Sequence, residues 1–85
     1  MTMNKITLSQ LEILIAVMQA GSFSGASVEL DCTQSRISHS ISELERYLDG
    51  RLFARSRAGC SPTPLGLQVI AKAVDAERKL TSDRA

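Results

Sequence analysis

Ile37, Ile41, Leu44 and Leu48 recur at steps of four, three and four. At about 100° per residue this spacing confines all four to one narrow stripe, so a helix with one buried face is predicted from about Gln34 to Leu48. The side opposite is equally restrictive. Ser35, Ser38, His39, Ser42 and Arg46 occupy it, with no carboxylate until Glu43 at its margin. Such a helix anchors itself through aliphatics and presents hydroxyls, an imidazole and a guanidinium outward. Thr33 stands where its N-cap belongs.

Two helices are predicted before it. Leu8, Leu11, Leu14, Ile15 and Met18 fall at three-and-four spacing, giving a helix from Leu8 to Ala20 with Ser9 or Thr7 as cap and Gly21 as stop. Ser22 can cap a short second helix to about Leu30, with Phe23, Ala26, Val28 and Leu30 as its apolar set. Gly25 and Ala26 would let another helix cross closely, and Asp31-Cys32 makes a tight break. Beyond the third helix, Gly50 is the expected stop. Arg51 to Arg55 alternates around Leu52 and Phe53 as a strand would, and Ser56 to Ser61 can turn and return as a second. Thr63-Pro64 then announces a last helix, to about Leu80, because proline at the first helical position loses no hydrogen bond. That helix carries two apolar stripes: Val69, Ala73, Ala76 and Leu80 on one side, and Leu67, Ile70 and Val74 beside them.

Several classes drop out on length and composition. A chain of 85 residues supports one compact domain with a thin margin of stability. The longest apolar run, Ile13 to Met18, is far short of the ~20 residues of a membrane helix, and no signal-peptide pattern precedes it. Cys32 and Cys60 show no paired spacing and read as reduced thiols of a cytoplasmic protein. One histidine, no clustered metal ligands and no glycine-rich phosphate loop argue against an enzyme and against any metal or cofactor. Cys32 and His39 lie about two helical turns apart, too far for a thiolate–imidazole pair.

The formal net charge of +1 argues at first against a nucleic-acid partner. Its distribution reverses that. Residues 1–35 balance at −2 and residues 36–49 at −1, whereas residues 50–74 hold Arg51, Arg55, Arg57 and Lys72 with no acid, a balance of +4. Residues 75–85 cancel. Since salt screens beyond ~8–10 Å, a local basic patch can attract phosphate whatever the total.

Helix, short helix, tight turn and longer third helix form a helix-turn-helix pattern, in which the third helix enters the DNA major groove by its N-terminal residues. Short serines let a helix seat deeply there. Gln34 can pair bidentately with adenine, and Arg36 with guanine or phosphate. Arg55 and Arg57 on the hairpin can enter an adjacent minor groove or grip its backbone. A serine-rich face is also what plain solvation would produce. The low net charge and the acids Glu43, Glu45 and Asp49 would equally suit a winged-helix module that binds protein and not DNA.

The same residues resemble a family. Ser22-Phe23-Ser24-Gly25-Ala26-Ser27, Leu30, Thr33-Gln34-Ser35, Ile37-Ser38, Ile41, Leu44-Glu45, Leu48, Leu52-Phe53-Ala54-Arg55, Gly59, Thr63-Pro64 and Gly66 follow the order and spacing of the DNA-binding domain of LysR-type transcriptional regulators. The resemblance covers about residues 6 to 70. It implies a mostly α fold: a winged helix-turn-helix of three helices plus a short two-stranded wing over 6–63, the helix-turn-helix itself at about 23–42. A linker helix that pairs two subunits would follow over 64–85. It implies that Thr33, Gln34, Ser35, Ser38 and His39 face DNA with Arg55 in the wing; the pattern of charge and polarity adds Arg36, Ser42 and Arg57. The chain departs from the family pattern at Ser27, Ser35, Arg36 and His39, where alanine, proline, a small or apolar residue, and arginine or lysine are usual. A histidine at 39 can make binding pH-sensitive.

The expected function is therefore sequence-specific binding of double-stranded DNA at an inverted-repeat operator by a transcriptional regulator. A homodimer through Val69, Ala73, Ala76 and Leu80 is expected, and a full-length protein could assemble further into a tetramer. Family members normally continue into a domain that senses a small molecule, so an isolated DNA-binding fragment is the expectation for a chain ending at Ala85.

Overall fold

The computed structural model describes the backbone of residues 6–84 and the side chains of residues 6–75. Its elements run α1 (Leu8–Ala20), α2 (Phe23–Leu30), α3 (Gln34–Leu48), β1 (Phe53–Ser56), β2 (Gly59–Pro62) and α4 (Pro64–Arg84). This is the winged helix-turn-helix that the sequence predicts, with a long last helix.

Three hydroxyls start the first three helices. Thr7 accepts the Gln10 N–H at 3.1 Å while the Gln10 carboxamide accepts the Thr7 N–H at 3.0 Å, a reciprocal box that fixes the entry to α1. Ser22 accepts from Gly25 at 3.0 Å and Thr33 from Arg36 at 3.1 Å. The helix ends are also closed. Gly21 ends α1 at φ 73°, as expected. At the end of α3 the left-handed residue is Asp49, φ 56°, and not the expected Gly50; Asp31 ends α2 in the same way at φ 55°. Short polar side chains tolerate this region, so a stop signal need not be glycine.

The core gathers Ile13, Leu14, Ala16 and Val17 of α1, Ala26 of α2, and Ile37, Ile41 and Leu44 of α3. Leu52 and Phe53 of the wing and Ile70 and Ala73 of α4 complete it. The α3 stripe is buried as predicted, with Leu48 half-buried. In α1 the buried arc is rotated and wider than the spacing suggested: Leu8 and Met18 are exposed, and Ile13, Ala16 and Val17 point inward. The cause is that α1 is touched by α2, α3 and α4 and so has more than one buried face. In α2, Val28 is 81% exposed and Ser27 takes the inward place, its hydroxyl donating to the Ser24 carbonyl at 2.7 Å.

β1 and β2 pair antiparallel, with Phe53 opposite Pro62 and Ser56 opposite Gly59, leaving Arg57 and Ala58 at the tip. The hairpin is tied down at both ends. At its base the Leu52 N–H donates to Glu45 Oε2 at 2.8 Å and the Thr63 N–H donates to the Leu52 carbonyl at 3.0 Å. Thr63 in turn caps α4, accepting the Gly66 N–H at 3.0 Å while its hydroxyl donates to the Arg51 carbonyl. Near the tip, the Cys60 N–H donates to the Gly21 carbonyl at 3.0 Å. Because Ile70 and Ala73 belong to the common core, the packed unit continues past residue 63 into the first turns of α4.

Candidate nucleic-acid interface

The N-terminal half of α3 is the exposed centre of the candidate interface. Thr33, Gln34, Ser35 and Arg36 are exposed in its cap and first turn, Ser38 is half-buried, and His39 and Ser42 are exposed one and two turns on. Burial of Ile37, Ile41 and Leu44 turns Ser35, His39, Ser42 and Arg46 outward, because they stand roughly half a turn away on the same helix.

The flanks of this face lead to different places. Gln34 lines a cleft of about 190 Å³ together with Ser22 and Ser24 at the start of α2 and Arg55, Ser56, Gly59 and Cys60 of the wing. Arg36 lies on the other flank, in a groove of about 160 Å³ with Ser9, Glu12, Ile13, Leu30 and Cys32. The two candidate base-contacting residues are thus separated: Gln34 works beside the wing, Arg36 beside α1. His39 is turned along its own helix, Nε2 standing 3.4 Å from Glu43 Oε2. The Gln10 carboxamide of α1 donates to the other oxygen of Glu43 at 3.3 Å.

The basic wing is smaller than the charge sums suggest. Arg51 faces Glu45 at 3.6 Å and serves the base of the hairpin. Lys72 lines a separate apolar groove with Ile6, Leu11, Leu48, Gln68, Val69 and Ala73. Arg55 and Arg57 remain, both exposed. The Arg55 guanidinium lies 4.2 Å from the centre of the Phe23 ring, and that ring meets Phe53 edge-on at 6.2 Å and 81°. Burial pushes the Cys60 thiol up, offset in part by the Arg55 guanidinium, so this cysteine is no activated thiolate.

Of the stripe assigned to a dimer seam, Val69 is half-buried, while the side chains of Ala76 and Leu80 lie outside the described residues. Ala73 requires correction. It is 2% exposed, packed into its own chain's core, and so has no surface left for a partner. Leu67, placed beside that stripe, is 51% exposed. Among the described residues no three of His, Cys, Asp and Glu gather as metal ligands would, and no helix is long and apolar enough to cross a membrane.

Ser22, Ser24, Ser56 and Phe23 join the site without having been singled out for it by sequence. Ser22 was legible as a cap and Phe23 as an apolar residue, but nothing in the primary structure pairs Phe23 with an arginine so distant in the chain.

Comparison with known proteins places this arrangement. The model of the bacterial regulatory helix-turn-helix proteins of the LysR family matches residues 8–67. The probable HTH-type transcriptional regulator LrrA of Synechococcus elongatus is 42% identical over 65 residues, 76% of this chain and 22% of that protein. The small neutral protease regulatory protein of Streptomyces coelicolor is 38% identical over 69 residues, 81% of this chain and 21% of that protein. This chain therefore spans about a fifth of the length of the curated relatives it matches. Among solved structures, the complex of the CbnR DNA-binding domain with DNA superposes with a TM-score of 0.81 at 29% identity, covering 92% of each chain. The complex of the BenM DNA-binding domain with catB site 1 DNA gives 0.85 at 26% identity, covering 89% of this chain and 85% of that one. With its helix order, capped third helix and paired wing, the chain belongs to the LysR family of bacterial regulatory helix-turn-helix proteins.

Proposed function

We propose that this chain is the DNA-reading unit of a transcriptional regulator, binding double-stranded DNA with α3 in the major groove and the wing at the adjacent minor groove or backbone. The observation that carries the reading is the convergence of Gln34 and Arg55 on one cleft at the start of α3. A carboxamide suited to a base edge and a guanidinium suited to phosphate or a narrow minor groove stand side by side, as adjoining grooves require. Thr33, Ser35, Ser38, His39 and Ser42 extend the contact along α3, Arg36 closes its α1 flank and Arg57 the hairpin tip. A homodimer through α4, with Val69, Ala76 and Leu80 at its seam, would read two half-sites of an inverted repeat, and the protein would act in the cytoplasm, where bacterial DNA lies.

Two of the three acids that favoured a protein partner are engaged within the fold. Glu43 faces His39 and Gln10, and Glu45 holds the Leu52 N–H and Arg51.

Selection of bound sequences from a random duplex pool, followed by anisotropy titration, tests the proposal. An enriched, two-fold symmetric site is expected. Affinity should fall about a thousandfold between ~50 and ~200 mM salt if six phosphates are contacted. Affinity that ignores salt, or that is equal for every duplex, contradicts the reading. Gln34→Ala is expected to cost ~1–3 kcal/mol at one base position and to relax preference there. Arg55→Ala should weaken all sites, those with A·T-rich flanks most; uniform loss in both variants would contradict the division of roles.

A further inference from the structure

We infer that Phe23 is a positioning residue for DNA contact by Arg55: the first residue of α2 orients the guanidinium that the hairpin carries. The inference rests on the DNA-binding reading above and assigns within it a role to a residue that reads neither base nor phosphate by hydrogen bonds.

The geometry is a relay of three side chains. Phe53, 2% exposed, is fixed in the core at the start of β1. Its ring meets Phe23 edge-on at 6.2 Å, and Phe23 in turn carries Arg55, whose guanidinium carbon lies 4.2 Å from the Phe23 ring centre. That distance is well inside the ~6 Å at which a cation feels the negative face of an aromatic ring. Phe23 is itself held by its place next to Ser22, whose hydroxyl caps α2, and by packing against the core. Arg55 is exposed and, among the described residues, faces no carboxylate within 4.0 Å. An arginine on a short hairpin with neither anchor would sample many rotamers; here the ring supplies the anchor.

The contact also leaves donors over. A guanidinium carries five N–H groups, more than one ring can engage, so those not turned to Phe23 stay available to a ligand. Arg55 lines its cleft together with Ser22, Ser24, Gln34 and Ser56. A phosphate or a minor-groove acceptor reaching the cleft meets a guanidinium already oriented, so less side-chain freedom is lost on binding. The Cys60–Gly21 hydrogen bond holds the hairpin over the turn that precedes Phe23, which keeps the ring within reach of the arginine.

A fluorination series at residue 23 tests this while keeping the ring's shape. The 85-residue chain carrying phenylalanine, or its singly, doubly or triply fluorinated form, is titrated with the selected duplex. Fluorine drains the ring's negative face, so affinity should fall stepwise, by about two- to fivefold across the series. Thermal midpoints should move little, and the trend should vanish in the Arg55→Ala background. A flat series overturns the proposal. So does tighter binding on fluorination, which would mean that Arg55 leaves the ring to reach DNA, and so does a trend that persists without Arg55. In the free protein, upfield ring-current shifts of the Arg55 δ-methylene protons are expected and should be lost in Phe23→Leu; their absence from the native chain also overturns it. A native chain that binds no duplex removes the DNA-binding reading itself, whereas native binding with a flat series removes this inference alone.

Discussion

Gly66→Ala is expected to lower stability by about 2–4 kcal/mol, even though alanine is the better helix former by ~1 kcal/mol. A Cβ at residue 66 would fall inside contact distance of the Leu52 carbonyl oxygen and against its carbonyl carbon, 3.0 Å away. The oxygen cannot swing aside, because it accepts the Thr63 N–H, while the N–H of the same residue is held by Glu45. Nor can the Leu52 side chain move, being fully buried. Relief must come from lifting the start of α4, which loosens the Thr63 cap and uncovers Ile70 and Ala73. For a domain of this size such a loss lowers the melting midpoint by about 10–25 °C. Thermal unfolding followed by circular dichroism measures it. A midpoint unchanged or raised would mean that α4 does not approach Leu52 so closely.

The three helix starts were legible because each is a local chemical event: a hydroxyl on Thr7, Ser22 or Thr33 and a backbone N–H three residues on. The α3 stripe was legible because that helix buries a single face. What sequence spacing could not give was the orientation of helices enclosed on several sides or too short to average over. α1 meets three other helices, so Leu8 and Met18 fall outside its buried arc although they keep the spacing. α2 has 8 residues, and with two turns only, Val28 and Ser27 exchange the places that their polarity would assign. The site follows the same division. The polar side of α3 was readable, but its two flanks were not: Gln34 faces the wing and Arg36 faces α1 because of how α3 lies against its neighbours. The basic patch changed for a similar reason. Counted along the chain it held four cations, yet Glu45 reaches Arg51 from the preceding helix and Lys72 belongs to another groove.

Gly59→Ala is expected to reduce duplex affinity by about ten- to a hundredfold, the range for losing a hydrogen bond to a charged group, with a separate cost in stability of about 1–3 kcal/mol. Two features act at that residue. Its φ of 133° is a conformation that an L side chain rarely adopts, and a Cβ there would press on the Gly21 carbonyl oxygen. That oxygen accepts the Cys60 N–H, and Gly21 itself is held as the end of α1 by donating to the Val17 carbonyl at 2.9 Å. The turn is the firmer partner, so the hairpin must yield. Arg55 pairs with Cys60 across the hairpin, so displacing β2 carries Arg55 away from the Phe23 ring and from the cleft it shares with Gln34. The core loses little, because Leu52 and Phe53 lie at the other end of the hairpin, held by Glu45 and Thr63. The loss of affinity should therefore exceed what the fall in melting midpoint explains. Combining Gly59→Ala with Arg55→Ala distinguishes this route from general damage: if the glycine acts by placing the arginine, the double variant binds no more weakly than Arg55→Ala alone. Additive losses would show that the hairpin contributes contacts of its own beyond Arg55.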